Sequence, residues 1–203
     1  MTQAGWNRRE FVRAAALLGI ALGTPGCVTA AALDPSEAPS DRQLAMLREV
    51  AQIVIPRTDT PGAGDAGAGE FVALALAYGL DGSRAPLSSA GRAFAPAALL
   101  RADSSLRYLD WLERTLGTGW LSADGATRTS SLAALDLAAF APGAEAHPWR
   151  KLKALILTGY YTSQPGGAQE LQYAAVPGRF DPAVPVTPET RSLSNDWTGV
   201  EFG

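Results

Sequence analysis

Apolar residues in this chain recur at intervals of three and four, never in sustained alternation, and proline or glycine bounds each such segment. That periodicity is helical, with a 3.6-residue repeat placing positions three and four apart on one face, whereas a strand needs a repeat of two. The first segment opens with Ser40 or Asp41 as an N-cap and Gln43 three residues after Ser40, as in a capping box. Leu44, Leu47, Ala51 and Val54 follow within about 80° on a helical wheel, and Pro56 stops the helix. A second helix is expected over 70–80, with Phe71, Leu74, Ala75 and Tyr78 on its packed side. Pro86 and Pro96 interrupt 81–103, which stays unassigned. Helical spacing returns over 104–116 (Leu106, Leu109, Leu112, Leu116), closed by Gly117 and Gly119, and again over 130–140. The segment 148–161 begins with a proline at a permitted first-turn position. Its Leu152, Leu155, Ile156, Leu157 and Tyr160 cover more than one face, which puts it at the centre of a bundle.

The fold class implied is all-α, mainly a helical bundle, with long irregular Pro/Gly-rich loops and an extended C-terminal tail. Gly (21) and Pro (14) together exceed a sixth of the 203 residues, in keeping with those loops. The expected organisation is a signal peptide over 1–32, a linker over 33–40, a helical domain over 41–161, and an extended Pro-rich tail over 162–203 packing on the domain or on a partner. The tail carries Pro165, Pro177, Pro182, Pro185 and Pro188 with scattered aromatics and no strong helical period.

The first thirty residues read as an address. Arg8 and Arg9 are paired, Phe11 follows two positions after the pair, and a short apolar run diluted by Gly19 and Gly23 comes next. This is the pattern of a twin-arginine export signal, and the run is too short to span a bilayer. Cleavage sites of A-x-A type lie near Val28-Thr29-Ala30 and Ala30-Ala31-Ala32. Cys27, preceded by Gly26, offers an alternative as a lipid-anchor site, although Thr24 and Pro25 are poor residues for it. Removal of 1–32 takes away three arginines and one glutamate, lowering the formal charge by two from −3, and takes away the single cysteine. An exported chain without thiols must rely on packing rather than disulfides.

Chemistry is sparse. One Cys and one His cannot assemble the ligand sets of structural zinc, iron–sulfur clusters or covalently attached haem. A formal charge of −3 without a basic stripe argues against nucleic acid. Gly62-Ala63-Gly64 lacks the third glycine of a dinucleotide fingerprint and lies between helices. His147, the only imidazole, precedes Pro148-Trp149 and reads as a surface or capping residue; a hydrolase built on it is the rival reading, without a GxSxG elbow to supply a nucleophile. Asp59 and Asp65 fit Asx-turns and a helix start better than a calcium loop. Tyr160, Tyr161 and the tryptophans could stack on sugars, yet aromatics at helical spacing mostly form core. Trp111, off the leucine stripe, and Trp197, in the tail, are the candidates for anchors at a protein interface.

Two blocks carry a resemblance. Pro56-Arg57-Thr58-Asp59-Thr60-Pro61-Gly62-Ala63 followed by Asp65-Ala66-Gly67, and Gly159-Tyr160-Tyr161-Thr162-Ser163 followed by Gly166, Tyr173 and Val176-Pro177-Gly178, resemble the two recurring blocks of the gluconate 2-dehydrogenase subunit 3 family. The resemblance extends from about residue 41 to 182, with nothing placed over 81–103. It implies a small, largely helical subunit of a periplasmic sugar or sugar-acid dehydrogenase, without catalytic, cofactor-binding or metal-binding residues of its own. The implied partners are a large FAD-containing flavoprotein, a cytochrome c subunit carrying haem c, and the twin-arginine translocase. The small subunit would escort the flavoprotein through export, stabilise it, and associate with the membrane through its partners. Arg57, Asp59, Pro61, Gly62, Tyr160, Tyr161 and Trp197 are the expected partner interface, with the tail extended over the flavoprotein. A stand-alone periplasmic binding protein or lipoprotein is the alternative.

Overall fold

The computed structural model describes residues 38–173, 183, 185–188, 190 and 193–194. The fold is mostly helical. Its α-helices are α1 (Asp41–Val54), α2 (Ala68–Tyr78), the single turn α3 (Ser89–Arg92), α4 (Tyr108–Leu116), α5 (Gly125–Ala139) and α6 (Pro148–Tyr161). Short 3₁₀ turns cover Leu80–Gly82, Ala97–Leu99 and Trp120–Ser122, and a π-helical turn covers Pro165–Glu170. Two-residue strands β1 (Gln172–Tyr173) and β2 (Leu193–Ser194) pair in parallel.

α1 starts as its capping box dictates. The Gln43 amide N–H donates to the Ser40 hydroxyl at 3.2 Å, and Ser40 N–H donates to the Gln43 side chain at 3.0 Å. The buried face is wider than the expected stripe, since Met46 and Val50 join Leu47 and Ala51 in the core while Leu44 and Val54 are half-buried. Gln43 is buried too, and its side-chain amide donates to Asp110 on α4 at 2.8 Å.

α2 corrects the expectation. It begins two residues earlier, at Ala68, and its packed side is Ala68, Gly69, Val72, Ala73, Ala75 and Leu76, while Tyr78 is 39% exposed and Phe71 and Leu74 are half-buried. The reason is steric. A Cβ on Gly69 would sit 2.9 Å from the Arg48 backbone nitrogen of α1, and one on Gly159 of α6 would meet the Phe71 ring of α2 at 2.7 Å. Small residues let three helices approach closely, and the larger side chains are turned to the flanks.

α6 is the central helix, with Trp149, Leu152, Leu155, Ile156 and Tyr160 buried and contacts to α1, α2, α4 and α5. α5 also begins earlier than its apolar spacing suggests, because Asp124 caps it by accepting from Thr127 N–H at 2.8 Å. Leucine spacing from 104 overestimates α4, whose first residues are spent on two antiparallel bridges, Pro86 to Ser105 and Leu100 to Leu106. These bridges pin the turns of 81–103 against the domain. Residues 162–171 are not extended tail. Gly166 packs so closely on the Tyr160 carbonyl that a Cβ would not fit, and the turn folds back over the end of α6. The remaining tail calls fall largely outside the described residues.

Each tryptophan in the described helices and turns is buried and hydrogen-bonded. Trp111 corrects its expected place at an interface: it is 3% exposed, and its indole N–H donates to the Phe94 carbonyl at 2.9 Å. Trp120 donates to Ser131 at 2.8 Å and Trp149 to Asp136 at 2.7 Å.

Gly69→Ala gains about 1 kcal/mol of intrinsic helix propensity but forces the α1 backbone outward, an overpacking cost of about 1–3 kcal/mol. We expect a lower urea midpoint at unchanged m-value. Gly125→Ala, at the exposed start of α5 with nothing within 4 Å of the added Cβ, is expected to raise the midpoint instead.

Candidate functional site

The loop between α1 and α2 is built to hold one conformation. Pro56 ends α1 by lacking an N–H and clashing with a helical predecessor. The chain turns outward over 56–59 and returns at Thr60, where Ala63 N–H donates to the Ile55 carbonyl at 2.9 Å, satisfying an acceptor that the helix end leaves open. Gly64 lies against α1 so closely that a Cβ would meet the Arg48 carbonyl at 2.5 Å. Gln52 of α1 grips the returning strand from below, its amide donating to Asp65 Oδ2 and its carbonyl accepting from Asp65 N–H, both at 3.2 Å. Arg57 reaches across the loop to Asp65 at 2.8 Å. Both side chains are well exposed, so this ion pair contributes little to stability, about 0–1 kcal/mol.

The second block lies on top of this loop. Tyr160 is 1% exposed, and its hydroxyl donates to the Pro61 carbonyl at 3.1 Å, about a hundred residues away in sequence. The same hydroxyl is 3.4 Å from Thr60 Oγ1, which donates to Glu170 Oε2 at 2.6 Å. Glu170 is carried by the π-helical turn that Gly166 folds back over α6. Tyr161 packs edge-on to Tyr160 with ring centroids 5.1 Å apart. Burial first, then the nearby Glu170 carboxylate and Tyr160, push its hydroxyl above the ordinary tyrosine range. Thr60, itself buried, is therefore the point where loop, α6 and π turn meet.

The expected interface residues divide into two sets. Arg57 and Asp59 are exposed at the loop tip, and Pro61 and Tyr161 are half-buried. Gly62 and Tyr160 are buried, which corrects their expected place on a contact surface. Gly62 has no free face because Gln52 and the Arg57 backbone crowd it, and Tyr160 spends its polar tip on holding Pro61. Arg8, Arg9 and Phe11 of the export pattern, Cys27, and Trp197 lie outside the described residues. Thr60 and Glu170 escaped the sequence reading. Thr60 sits between two prolines' turns like any polar loop residue, and Glu170 falls in a stretch without helical period.

His147 is the N-cap of α6. Its Nδ1 accepts from Trp149 N–H at 3.2 Å, and the ring packs on Phe94 and Trp111 with centroids 4.9 Å and 5.5 Å away. Burial lowers its pKa below the ordinary imidazole value. The cleft beside it is half-open and of mixed charge, lined by Asp81, Tyr108, Glu145, Arg150 and Lys151, with Lys151 occupied by Asp81 at 2.5 Å. Among the described residues, no three His, Cys, Asp or Glu side chains come together as a metal site, and no helix is long and apolar enough to cross a membrane.

Comparison with known proteins places this geometry in context. The family described as gluconate 2-dehydrogenase subunit 3 matches residues 41–178, more than half of the chain and both blocks of the clamped loop. No curated protein and no solved structure matches the chain.

Two outcomes test the site. Tyr160→Phe removes a buried hydrogen bond worth about 1 kcal/mol and releases the loop, so limited trypsin digestion should cleave after Arg57 faster than in the wild type at equal global stability loss elsewhere in the core. For His147, the folded state has the lower pKa, so on acidification the unfolded chain takes up the proton first. The contribution is complete above about pH 6.5 and is lost as pH falls through the folded value. The melting temperature should drop between pH 7.5 and 5.5, with a shallower slope in His147→Asn, whose amide caps without titrating.

Proposed function

The chain belongs to the gluconate 2-dehydrogenase subunit 3 family, and on that premise we propose that it is the non-catalytic small subunit of a periplasmic FAD-dependent dehydrogenase complex of gluconate or glucose type. A family named for the third subunit of a dehydrogenase works within an assembly. The chemistry then belongs to its companions: a large flavoprotein holding FAD oxidises the alcohol, and a cytochrome c subunit accepts the electrons through haem c. This chain contributes binding surface and, through the Arg8-Arg9-Glu10-Phe11 leader, the export address.

The observation that carries the reading is the clamped loop. An interface segment that is already ordered loses little conformational entropy on docking, so more of its contact energy appears as affinity. Residues 56–67 are ordered from three sides, by Gln52, Tyr160 and Glu170, while Arg57 and Asp59 stay exposed at the tip. That is the arrangement expected of a recognition loop on a rigid base. In this reading the flavoprotein folds in the cytoplasm around its FAD, docks on the loop and on the tail with Trp197, and crosses the membrane as cargo of the twin-arginine translocase. The complex then stays membrane-associated through its partner subunits.

The test replaces Arg8 and Arg9 together with lysine in cells that express the whole complex. Flavin-containing dehydrogenase should then accumulate in the cytoplasm and disappear from the periplasmic fraction. If the flavoprotein reaches the periplasm undiminished, the escort role is wrong. In the assembled complex, Arg57→Ala is expected to weaken association about tenfold, which corresponds to about 1.4 kcal/mol.

A further inference from the structure

α5 departs from what a helix in contact with water requires. Its only charged residues, Arg128 and Asp136, are both engaged with neighbouring helices, with Glu49 at 2.6 Å and Lys153 at 2.7 Å. The exposed positions Thr129, Ala133, Ala134 and Leu137 carry no charge. A helix lying on the surface of a globular domain normally places charged residues on its outer face. At the C-terminal end of this uncharged face stand two large apolar side chains three residues apart, Leu137, 78% exposed, and Phe140, 42% exposed.

Phe140 is held in place rather than loose. The Arg150 guanidinium lies 4.6 Å from its ring centroid and the Lys153 ammonium 4.8 Å, each a cation–π contact. Lys153 is neutralised by Asp136, whereas no carboxylate pairs with Arg150 among the described residues. The corner therefore presents a fixed phenyl ring, a leucine and one uncompensated positive charge, on a chain whose formal charge is −3.

We propose that the Leu137–Phe140–Arg150 corner is a docking surface for a protein subunit that offers an apolar pocket rimmed by carboxylate. This rests on the reading that the chain works bound to the large flavoprotein, and it adds a second contact to that of loop 56–67. Aromatic and arginine side chains dominate the energetics of protein interfaces, and a ring fixed before contact loses little freedom on docking. Charge decides among occupants. A second copy of this chain packed symmetrically would set the same positive corner against itself. An anionic lipid surface gains only about 1 kcal/mol per basic residue, and one unpaired cation does not hold a protein there. A carboxylate-rimmed protein pocket matches both the charge and the ring.

The experiment isolates the native complex through a tag on the full chain, in wild type, in Leu137→Ser/Phe140→Ser and in Arg150→Glu. Flavin content per tagged chain and the salt dependence of dissociation are measured. Expected is a tenfold or greater loss of affinity in the double variant. Arg150→Glu should weaken the complex and flatten its salt dependence, with the melting temperature of the isolated chain unchanged. Because Arg150→Glu leaves both apolar residues in place, it keeps the test readable if the double variant folds poorly. A wild-type complex that both variants reproduce with the same flavin content and salt dependence overturns the docking surface and leaves the family reading intact. Absence of any flavoprotein with the wild-type chain overturns both. Co-sedimentation of the wild type, but not the double variant, with phosphatidylglycerol vesicles overturns it in favour of lipid, and a dimer lost in the double variant overturns it in favour of self-association.

Discussion

Gly69 brings α2 into backbone contact with α1, and the position of the loop that joins them follows from that approach. A side chain there would move α2 away from α1, lengthen the span that 56–67 must cover, and separate Pro61 from the end of α6. Because the approach is close, the loop has no slack. Its carbonyl at Pro61 meets the Tyr160 hydroxyl, and its threonine at 60 meets Glu170. Gly159 repeats the device on the other side of α2, taking the Phe71 ring where a methyl would collide. The interior is close-packed enough that one methylene at either glycine would be felt throughout the helix triple.

Electrostatic design follows the same economy of space. Helix starts are capped by side chains suited to each site: Ser40 with Gln43 for α1, Asp124 for α5, and the neutral His147 ring for α6. The last is unusual because an imidazole accepts only when its Nδ1 is unprotonated. Packing against Phe94 and Trp111 disfavours the charged form, so burial and capping act in the same direction. The ion pairs Arg42–Glu113 and Arg128–Glu49 tie α1 to α4 and α5 at the surface, where each contributes modestly.

What the sequence made legible was whatever depends on local chemistry. The bounds of α6 follow from Pro148 and the end of its apolar pattern, and α1 from its capping box and Pro56. The packed side of α2 was illegible because Ala and Gly are apolar on every face and give no amphipathic contrast, so the eye falls on Phe71 and Tyr78. Tyr160 and Tyr161 are neighbours about 100° apart around the helix, and composition cannot tell which one points inward; only the loop arriving from position 61 decides it. The π turn at 165–170 was hidden because its stability comes from a contact with Tyr160 rather than from its own residues. The two blocks that carried the family resemblance prove to be one structural unit, joined at Thr60.

Aromatic residues sharpen the contrast between interior and surface. Trp111, Trp120 and Trp149 all bury their rings and pair their indole N–H groups, with a carbonyl, a hydroxyl and a carboxylate in turn. A buried donor left unpaired costs about 1–3 kcal/mol, so each pairing fixes the ring in one place. Phe140 has no polar atom to satisfy, and nothing chemical prevents it from being buried. It is nonetheless exposed and covered on one side by cations rather than by carbon. An exposed apolar side chain alone says little, since much of any protein surface is apolar. One that lies next to a second exposed hydrophobe, on a helix face stripped of charge, and is fixed by a guanidinium with no carboxylate of its own, is arranged for contact. The same domain thus uses aromatic rings in two ways, to lock α6 and α4 inside and to present a rigid edge outside.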